Sequence, residues 1–391
     1  MIYPKIKLKK GKERSALHFH PWIFSGAIDV QDKSLEEGDV AEVFAADKTY
    51  VGTGHFHKGT ITIRVFCFQQ QEINESFWQH KFDAAHKLRK RIAVANESTT
   101  AYRLINAEGD GMPGLVVDIY GNTAVMQTHT IGMFRLREVF SKILSQQFKA
   151  VYDKSSDSMA KQMNLVTTNE YLLKQQSDSN TNLVSENGYR FKVEWETGQK
   201  TGFFLDQRDN RLLLKQYARN RKVLNTFCYT GGFSVYALGG DAEVVHSVDS
   251  SRKAMELTQE NITLNFNTDK HTGYTQDVFD FIKQQQMVYD LIVLDPPAFA
   301  KHLSAVKNAM VGYRNLNTEA IRRIAPGGIL FTFSCSQAID RELFRKIMFQ
   351  AAAQAKRGVK ILHQLTQPAD HPVSIYHPEG EYLKGLVLYV E

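Results

Sequence analysis

The stretch Leu294-Asp-Pro-Pro-Ala-Phe299 decides how the C-terminal half of this chain is interpreted. It follows a short apolar run, Tyr289 to Leu294, of the kind found in strands that are buried on both faces. Pro296 and Pro297 cannot donate backbone hydrogen bonds and restrict the residue before each of them, so the strand must end here. Asp295 is therefore expected at the carboxyl end of a strand, where open α/β sheets bind ligands. A strand that merely ends in a proline turn is the simpler interpretation.

Outward from this stretch, residues 185–391 repeat a pattern of strand, loop and helix. Strands are predicted at Val223 to Phe227, Glu243 to Val248, Thr272 to Thr275, Asp290 to Leu294, Gly328 to Phe333, Lys360 to Leu365 and Leu386 to Val390. Helices are predicted from Phe233, from Ser251 to about Phe266 and from Arg341 to Lys356. This alternation predicts an α/β fold with a doubly wound, mostly parallel, Rossmann-like sheet.

Two smaller regions precede this sheet. Residues 1–72 contain short β-branched runs punctuated by glycines, which predicts a β-rich module. Residues 73–175 mix strands with helices and are expected to form a small α+β domain. The helices are predicted at Ser76 to Ala93, with Lys81, Lys87, Arg89, Lys90 and Arg91 on its polar face, and at Phe134 to Gln147. The polar run Gln175 to Asn182 is interpreted as a linker or an exposed loop.

Composition limits the class of protein. The chain has 391 residues, of which 43% are hydrophobic and 23% charged, as in globular proteins with buried cores. The net charge of +6 favours a polyanionic partner. Cys67, Cys228 and Cys335 have no paired spacing, so we expect a reducing, cytoplasmic setting rather than disulfides or a zinc cluster. We find neither the apolar core of a signal peptide nor an apolar run that could span a membrane.

A basic cluster near the N-terminus is the first candidate for binding nucleic acid. Basic side chains beside exposed aromatic rings can hold a phosphate backbone and stack on bases, although a solvated surface explains the charges equally well. The candidates for contacting RNA are Lys9, Lys10, Lys12, Arg14, Trp22 and, behind the proline turn, Phe299. His18 and His20, like His55 and His57, are spaced as metal ligands can be. No acidic or thiol partner stands nearby in sequence, so no metal site is predicted.

The loop after the first predicted strand of the sheet suggests a nucleoside cofactor. Tyr229-Thr-Gly-Gly-Phe233 lets the backbone approach a ligand, and Asp249 ends the next strand, where a carboxylate can accept hydrogen bonds from ribose hydroxyls. The loop lacks the full Gly-x-Gly-x-x-Gly pattern, so a nucleoside without phosphates, S-adenosylmethionine, fits best. Asp277 follows the third strand and is predicted to meet the adenine edge. Each of these acids could instead cap a helix.

Cys335 follows the fifth predicted strand, which is normally the neighbour of the fourth in a sheet of this winding. Asp295 and Cys335 would then open into one pocket. A thiolate there could add to C6 of a pyrimidine, which would make C5 able to attack the cofactor's methyl group. Asp295 could hydrogen-bond the N3 edge of the ring. The alternative is that Cys335 is only a small buried apolar residue.

Several motifs resemble a known family, the bacterial large-subunit ribosomal RNA 5-methylcytosine methyltransferases. The N-terminal motif resembles the PUA module of that family, and the resemblance covers nearly the whole chain. A stretch from Arg103-Leu to Gly109-Asp-Gly-Met-Pro-Gly-Leu-Val-Val-Asp118 resembles the central domain of that family. The other matching motifs are His20-Pro-Trp-Ile-Phe-Ser-Gly-Ala27, Gly198-Gln-Lys-Thr-Gly-Phe-Phe-Leu-Asp-Gln-Arg-Asp-Asn-Arg211, Phe227-Cys-Tyr-Thr-Gly-Gly-Phe233, Leu294-Asp-Pro-Pro-Ala-Phe299, Phe333-Ser-Cys-Ser336, Asp370-His-Pro-Val373 and Glu381-Tyr-Leu-Lys-Gly385.

The resemblance implies an S-adenosylmethionine-dependent enzyme in which Cys335 is the nucleophile. The PUA module would hold structured ribosomal RNA while the target base is flipped into the pocket. The cofactor would be bound by Lys200, Phe203, Gln207, Tyr229, Thr230, Gly231, Asp249, Ser250, Asp277, Asp295 and Pro296.

Two other functions stay open at this point. The same fold could methylate a base nitrogen, such as one of guanine, or the chain could be a non-catalytic RNA-binding assembly factor. The sequence leaves open the modified nucleotide and the oligomeric state, with a homodimer among the options.

Overall fold

The structure is a computed structural model that describes residues 3–163, 168–175, 182–300 and 305–391. The chain divides into two compact units, each assembled from several segments. The first unit comprises Met1–Asn187, Val193–Leu205 and Ala369–Gly380. The second unit comprises Gly188–Lys192, Asp206–Pro368 and Glu381–Glu391.

The N-terminal part of the first unit is a sheet of short strands with the order β2-β6-β5-β4-β1-β3. The strands at Lys5–Leu8 and Val40–Phe44 alternate buried residues with more exposed ones, as strands with one face on a core do, and Ile6, Leu8 and Val43 are fully buried. The strands are β1 (Lys5–Leu8), β2 (Trp22–Phe24), β3 (Ile28–Gln31), β4 (Val40–Phe44), β5 (Tyr50–Phe56) and β6 (Ile61–Cys67), with the short helix α1 (Arg14–Leu17).

The first unit contains a second sheet with the order β11-β10-β9-β8-β7. Its strands are β7 (Ala101–Asn106), β8 (Leu115–Tyr120), β9 (Thr123–Thr128), β10 (Ala150–Asp153) and β11 (Glu170–Lys174). The helices are α2 (Glu75–Arg91), α3 (Ile131–Arg135), α4 (Arg137–Leu144) and α5 (Ser156–Met163). The α+β prediction for this region is confirmed, but the single helix predicted at Phe134 to Gln147 is wrong. The chain leaves the helical conformation at Leu136, where ψ is 1°, and α3 and α4 are separate.

The structure also corrects the predicted polar face of α2. Arg89 was expected to be exposed, yet its side chain is fully buried and its guanidinium bonds both carboxylate oxygens of Asp110. The reason is helical spacing: Arg89 continues the inward face that carries Phe82 and Ala85, one turn further along.

The second unit is built on a mostly parallel sheet with the order β16-β15-β14-β17-β18-β20-β19, in which only β20 runs antiparallel to its described neighbours. Its strands are β14 (Lys222–Thr226), β15 (Val244–Asp249), β16 (His271–Thr275), β17 (Leu291–Leu294), β18 (Gly328–Ser334), β19 (Val359–Leu365) and β20 (Lys384–Val390). The helices are α6 (Arg208–Tyr217), α7 (Gly232–Gly239), α8 (Arg252–Asn265), α9 (Val278–Gln284), α10 (Val306–Arg323) and α11 (Arg341–Ala355). The predicted Rossmann-like winding is confirmed.

The sequence pattern did not predict strands β12 (Leu183–Glu186) and β13 (Tyr189–Lys192) or helix α10. Most of the predicted linker at Gln175 to Asn182 lies outside the described residues. The division of the sequence into 1–72, 73–175 and 185–391 stays a prediction.

Candidate active site

The centre of the second unit's sheet brings three predicted loops to one edge. Strand β14 lies between β15 and β17, and Thr226 is paired with Val248 on one side and with Leu294 on the other. The residues that follow these three positions therefore leave the sheet side by side. This is the point at which the strand order reverses, where ligands bind in open α/β sheets.

The loop between β14 and α7 has an unusual backbone. Phe227, Tyr229 and Gly231 have positive φ values of 51°, 48° and 77°. A β-carbon on Gly231 would lie 2.7 Å from Cγ2 of Thr258, so the chain requires glycine for space as well as for conformation. Non-glycine residues held in the left-handed region store strain, and such residues cluster at functional sites.

Helix α8 holds this loop in place through two side chains that the sequence did not single out. The Thr258 hydroxyl donates to the carbonyl oxygen of Tyr229 at 2.9 Å, and the Asn261 amide donates to that of Thr230 at 2.9 Å. Both side chains are fully buried. Asn261 also accepts the backbone N–H of Lys192 at 2.8 Å, so one amide joins β13 to the loop.

Asp249, at the end of β15, also holds the backbone of the loop. One carboxylate oxygen accepts the backbone N–H of Tyr229 at 3.0 Å, and the other accepts that of Ser251 at 2.9 Å. A carboxylate oxygen has two lone pairs, so each oxygen can still accept a hydroxyl from a ligand. Ser250, between these residues, is exposed.

Asp295 stands at the end of β17 beside a residue from a distant part of the sequence. The Gln207 amide donates to Oδ2 of Asp295 at 3.0 Å and accepts a hydrogen bond from Asn210 at 2.7 Å. Gln207 is 2% exposed, so its amide is held in one orientation and fixes that of the Asp295 carboxyl. Pro296 is buried directly behind Asp295.

Cys335 differs from the other two cysteines in exposure. Cys67 and Cys228 are buried, whereas Cys335 is half-buried just past β18. Burial raises the pKa of the Cys228 thiol, which keeps that sulfur protonated and inert. Strands β17 and β18 are neighbours in parallel register, with Leu294 opposite Thr332, so Asp295 and Cys335 both follow adjacent strands at the same edge.

The family of the chain follows from its match to known sequence families. The sequence model described as S-adenosylmethionine-dependent methyltransferase matches residues 164–381. This chain belongs to the S-adenosylmethionine-dependent methyltransferases. A second model, described as a PUA-like domain, matches residues 6–68 of this methyltransferase.

Whole-length relatives and solved structures agree with this assignment. The methyltransferase is 38% identical over 99% of both chains to the ribosomal RNA large subunit methyltransferase I of Shewanella frigidimarina. Its fold matches the solved structure of a SAM-dependent methyltransferase from Streptococcus mutans, with a TM-score of 0.85, 23% identity and complete coverage of both chains. A further solved structure, described as a methyltransferase complexed with SAH, also has a TM-score of 0.85, at 24% identity.

The residues of this methyltransferase fit its cofactor. Asp249 retains acceptor capacity for ribose hydroxyls beside a loop that only glycine can complete at position 231. Asp277 is exposed and caps α9, with one oxygen accepting the backbone N–H of Asp280 at 3.1 Å. Capping therefore accounts for the position of Asp277 and still leaves lone pairs for an adenine amino group. The adenine contact stays a prediction.

Two predicted cofactor residues belong to the first unit of the methyltransferase. Lys200 has a positive φ of 47°, and its amine lies 4.7 Å from the ring centroid of Phe204. Phe203 is buried. Their part in cofactor binding stays a prediction.

The predicted RNA contacts fall into two groups. Lys9, Lys10, Lys12 and Arg14 are exposed, and Lys12 and Trp22 line a pocket of about 310 Å³. The Trp22 indole donates to Glu108 at 2.8 Å. The ring of Phe299, in contrast, packs against that of Tyr313, with 4.6 Å between the two ring centroids. An RNA contact through Phe299 would have to use the part of its side chain that packing leaves exposed.

The described ranges also bear on membrane and metal binding. None of the helices placed there is both long and apolar enough to cross a membrane. No group of three histidine, cysteine or acidic side chains is arranged there as a metal site. The His55 ring packs against Phe66, and Nδ1 of His57 bonds Glu37 at 2.6 Å.

Proposed function

We propose that this methyltransferase transfers a methyl group from S-adenosylmethionine to C5 of a cytosine in large-subunit ribosomal RNA, in the cytoplasm. The relative at 38% identity is named for methylation of that RNA, and a PUA-like domain precedes the catalytic part. The observation that carries the chemistry is Cys335, the one cysteine of the three that is not buried, at the sheet edge where Asp295 also stands.

The reaction begins with covalent attack. The Cys335 thiolate forms a bond to C6 of the extruded cytosine, and the electron pair of the C5–C6 double bond moves towards C5. Asp295, in its protonated form and oriented by Gln207, donates to the N3 edge and offsets the negative charge that develops there. Bound S-adenosylmethionine supplies an activated methyl group on a sulfonium.

The remaining steps restore the ring. C5 forms a bond to the methyl group while the bond from that methyl to the cofactor's sulfonium would break and leave a neutral thioether. The proton on C5 then passes to water, and the electrons of the C5–H bond reform the C5–C6 double bond and expel the Cys335 sulfur as a thiolate. Around this chemistry, Asp249 would hold the ribose of the cofactor and the glycine loop would approach its nucleoside. The basic residues of the N-terminal sheet would hold the RNA backbone, with the phosphates neutralised by lysine and arginine.

The test uses tritiated cofactor and ribosomal RNA that lacks the modification. We expect Cys335→Ala to lower methyl transfer by at least about a hundredfold while it still binds S-adenosylmethionine in calorimetry, because only the nucleophile is removed. Cys67→Ser is the matched control, since Cys67 is buried in β6 with its thiol bonded to the carbonyl oxygen of Gln69.

Mass spectrometry of the methylated nucleoside completes the test. A 5-methylcytidine product that depends on Cys335 supports the proposal. Full activity of Cys335→Ala, or a methyl group on a base nitrogen, would show that the covalent mechanism is wrong.

A further inference from the structure

Lys384, the first residue of β20, has a buried amine bonded to the residue that follows the proposed nucleophile. Its side chain is only 4% exposed, and its backbone lies opposite Ser334 in the antiparallel pair of β18 and β20. The amine donates to the carbonyl oxygen of Ser336 at 2.6 Å and to that of Tyr382 at 2.7 Å. Ser336 directly follows Cys335, so the amine is held by the carbonyl group of the residue next to the cysteine.

Burial of this amine calls for an explanation beyond packing. An ammonium in a protein interior costs free energy unless a negative group is near. Both hydrogen-bond acceptors of Lys384 are neutral carbonyls, and among the described residues no carboxylate forms an ion pair with it. Burial lowers the pKa of Lys384 to about 8, and the nearby Cys335 thiol is the largest influence in the opposite direction.

The other charged groups around Lys384 contribute less. Glu381 and Asp340 favour its cation, and Arg341 opposes it. Glu381 is ion-paired with Arg341, and Asp340 caps α11 by accepting the backbone N–H of Leu343 at 2.7 Å. Tyr313, on α10, also interacts with Cys335, but burial raises the pKa of its phenol, so it stays neutral. The sulfur of Cys335 is thus the group that most favours the charged form of Lys384.

We propose that Lys384 is a positioning residue that holds Cys335 as a thiolate, with its ammonium fixed by the carbonyl oxygens of Ser336 and Tyr382. The thiol proton goes to solvent, and the lysine keeps its own proton throughout. An ammonium beside a sulfur lowers the free energy of the thiolate and so raises the reactive fraction at neutral pH. The same charge would stabilise the sulfur again when it is expelled from the methylated ring. The use of this thiolate on RNA rests on the proposed function, whereas the charge pairing does not.

The experiment measures thiolate content without RNA or cofactor. The full-length protein is alkylated with iodoacetamide from pH 5.5 to pH 9.5, and the rate at Cys335 is read from its peptide by mass spectrometry. We expect Lys384→Met to raise the midpoint of the Cys335 profile by about one pH unit, which lowers the rate at pH 7 about tenfold. Lys384→Arg keeps the charge and should retain most of the reactivity.

The matched control is Lys360→Met, which removes an exposed lysine from the neighbouring strand β19. Its Cys335 profile should equal that of the parent. A Lys384→Met protein that is folded by circular dichroism and has an unchanged midpoint would overturn the proposal. Because the assay needs neither RNA nor cofactor, this outcome would leave the methylation proposal standing.

A reciprocal measurement covers the case in which Lys384→Met does not fold. The pKa of Lys384 is followed by ¹³C NMR of its ε-carbon in the parent and in Cys335→Ala. Removal of the thiolate should lower the lysine pKa, since its main stabilising partner is gone. An equal lysine pKa in the two proteins would contradict the pairing.

Discussion

At the scale of single residues, the site depends on side chains that hold the backbone of the glycine loop. Asn261 is fully buried and connects the carbonyl oxygen of Thr230 to the backbone N–H of Lys192. The positive φ values of Phe227 and Tyr229 are maintained only while such contacts outweigh the strain.

Asn261→Leu, which is similar in size but cannot hydrogen-bond, should weaken cofactor binding about tenfold or more. The substitution removes the hydrogen bond to the buried carbonyl of Thr230, which costs about 1–3 kcal/mol, and the one to the half-buried N–H of Lys192. Calorimetric titration with S-adenosylhomocysteine measures the affinity. Thr263→Ala, on the exposed face of the same helix, is the control and should bind like the parent. Equal affinities for Asn261→Leu and the parent would mean that α8 does not set the loop.

Site residues at strand ends could be predicted from the sequence. The residues that hold those strand ends and loops in place could not. Asp249, Asp295 and Cys335 follow apolar runs, and this local pattern is enough to place them at one edge of a parallel sheet. Asn261 and Lys384 have no such signal, because each acts through a partner far away in sequence.

At the scale of elements, α2 contains a buried charged residue that the spacing of apolar residues did not predict. Arg89 lies on the inward face with Phe82, and its guanidinium bonds Asp110 and, at 2.9 Å, the carbonyl oxygen of Arg103. A pattern that separates apolar from polar residues assigns every arginine to solvent. Only the tertiary position of Asp110, which is itself 4% exposed, makes this arginine an inward residue.

Arg89→Met should lower the free energy of unfolding by about 3–5 kcal/mol, since it leaves the Asp110 carboxylate buried without its cation. Urea unfolding followed by the fluorescence of the tryptophans measures the loss. Lys90→Met, one residue further along α2 and exposed, should change stability by less than about 0.5 kcal/mol. Similar losses in the two variants would contradict the assignment of the buried pair.

The strands of the second unit were predictable because buried parallel strands are short apolar runs. All four residues of β17 are buried, as the sequence indicated. The break between α3 and α4 was not predictable in this way, because apolar spacing continues across Leu136 while the backbone departs from the helix. The spacing of apolar residues predicts which side chains face a core. It does not predict a change in a single ψ angle.

At the scale of the whole molecule, segments from three parts of the sequence build the first unit. Its segment Ala369–Gly380 connects β19 to β20, two strands of the second unit's sheet. Within the first unit, the carbonyl oxygen of Asp370 accepts from Arg89 at 2.7 Å, and its carboxylate accepts the backbone N–H of Arg103 at 3.0 Å. A boundary between two continuous stretches of sequence cannot describe this arrangement, because Arg89 and Arg103 both lie more than 260 residues before Asp370.

Buried histidines make each unit sensitive to acid. His55 in the first unit is 2% exposed, and burial lowers its pKa to about 3; His271 in the second has its pKa lowered to about 4, also by burial. A histidine whose folded pKa lies below 6.5 takes up its proton first in the unfolded chain. Stability is therefore complete above pH 6.5 and falls as the pH drops towards the folded pKa.

For His55 the loss between pH 7.5 and pH 5 should be about 2 kcal/mol, since each pH unit below 6.5 contributes about 1.4 kcal/mol. A β-carbon on Gly132 would lie 2.3 Å from the His55 ring, so the backbone of α3 packs directly against one side of the imidazole. Urea unfolding at pH 5 and pH 7.5 should show a smaller pH difference for His55→Leu than for the parent, whatever its stability at pH 7.5. His18→Leu, an exposed position on the same N-terminal module, should keep the parent's full pH dependence. An undiminished pH difference in His55→Leu would mean that other groups carry the acid sensitivity of this unit.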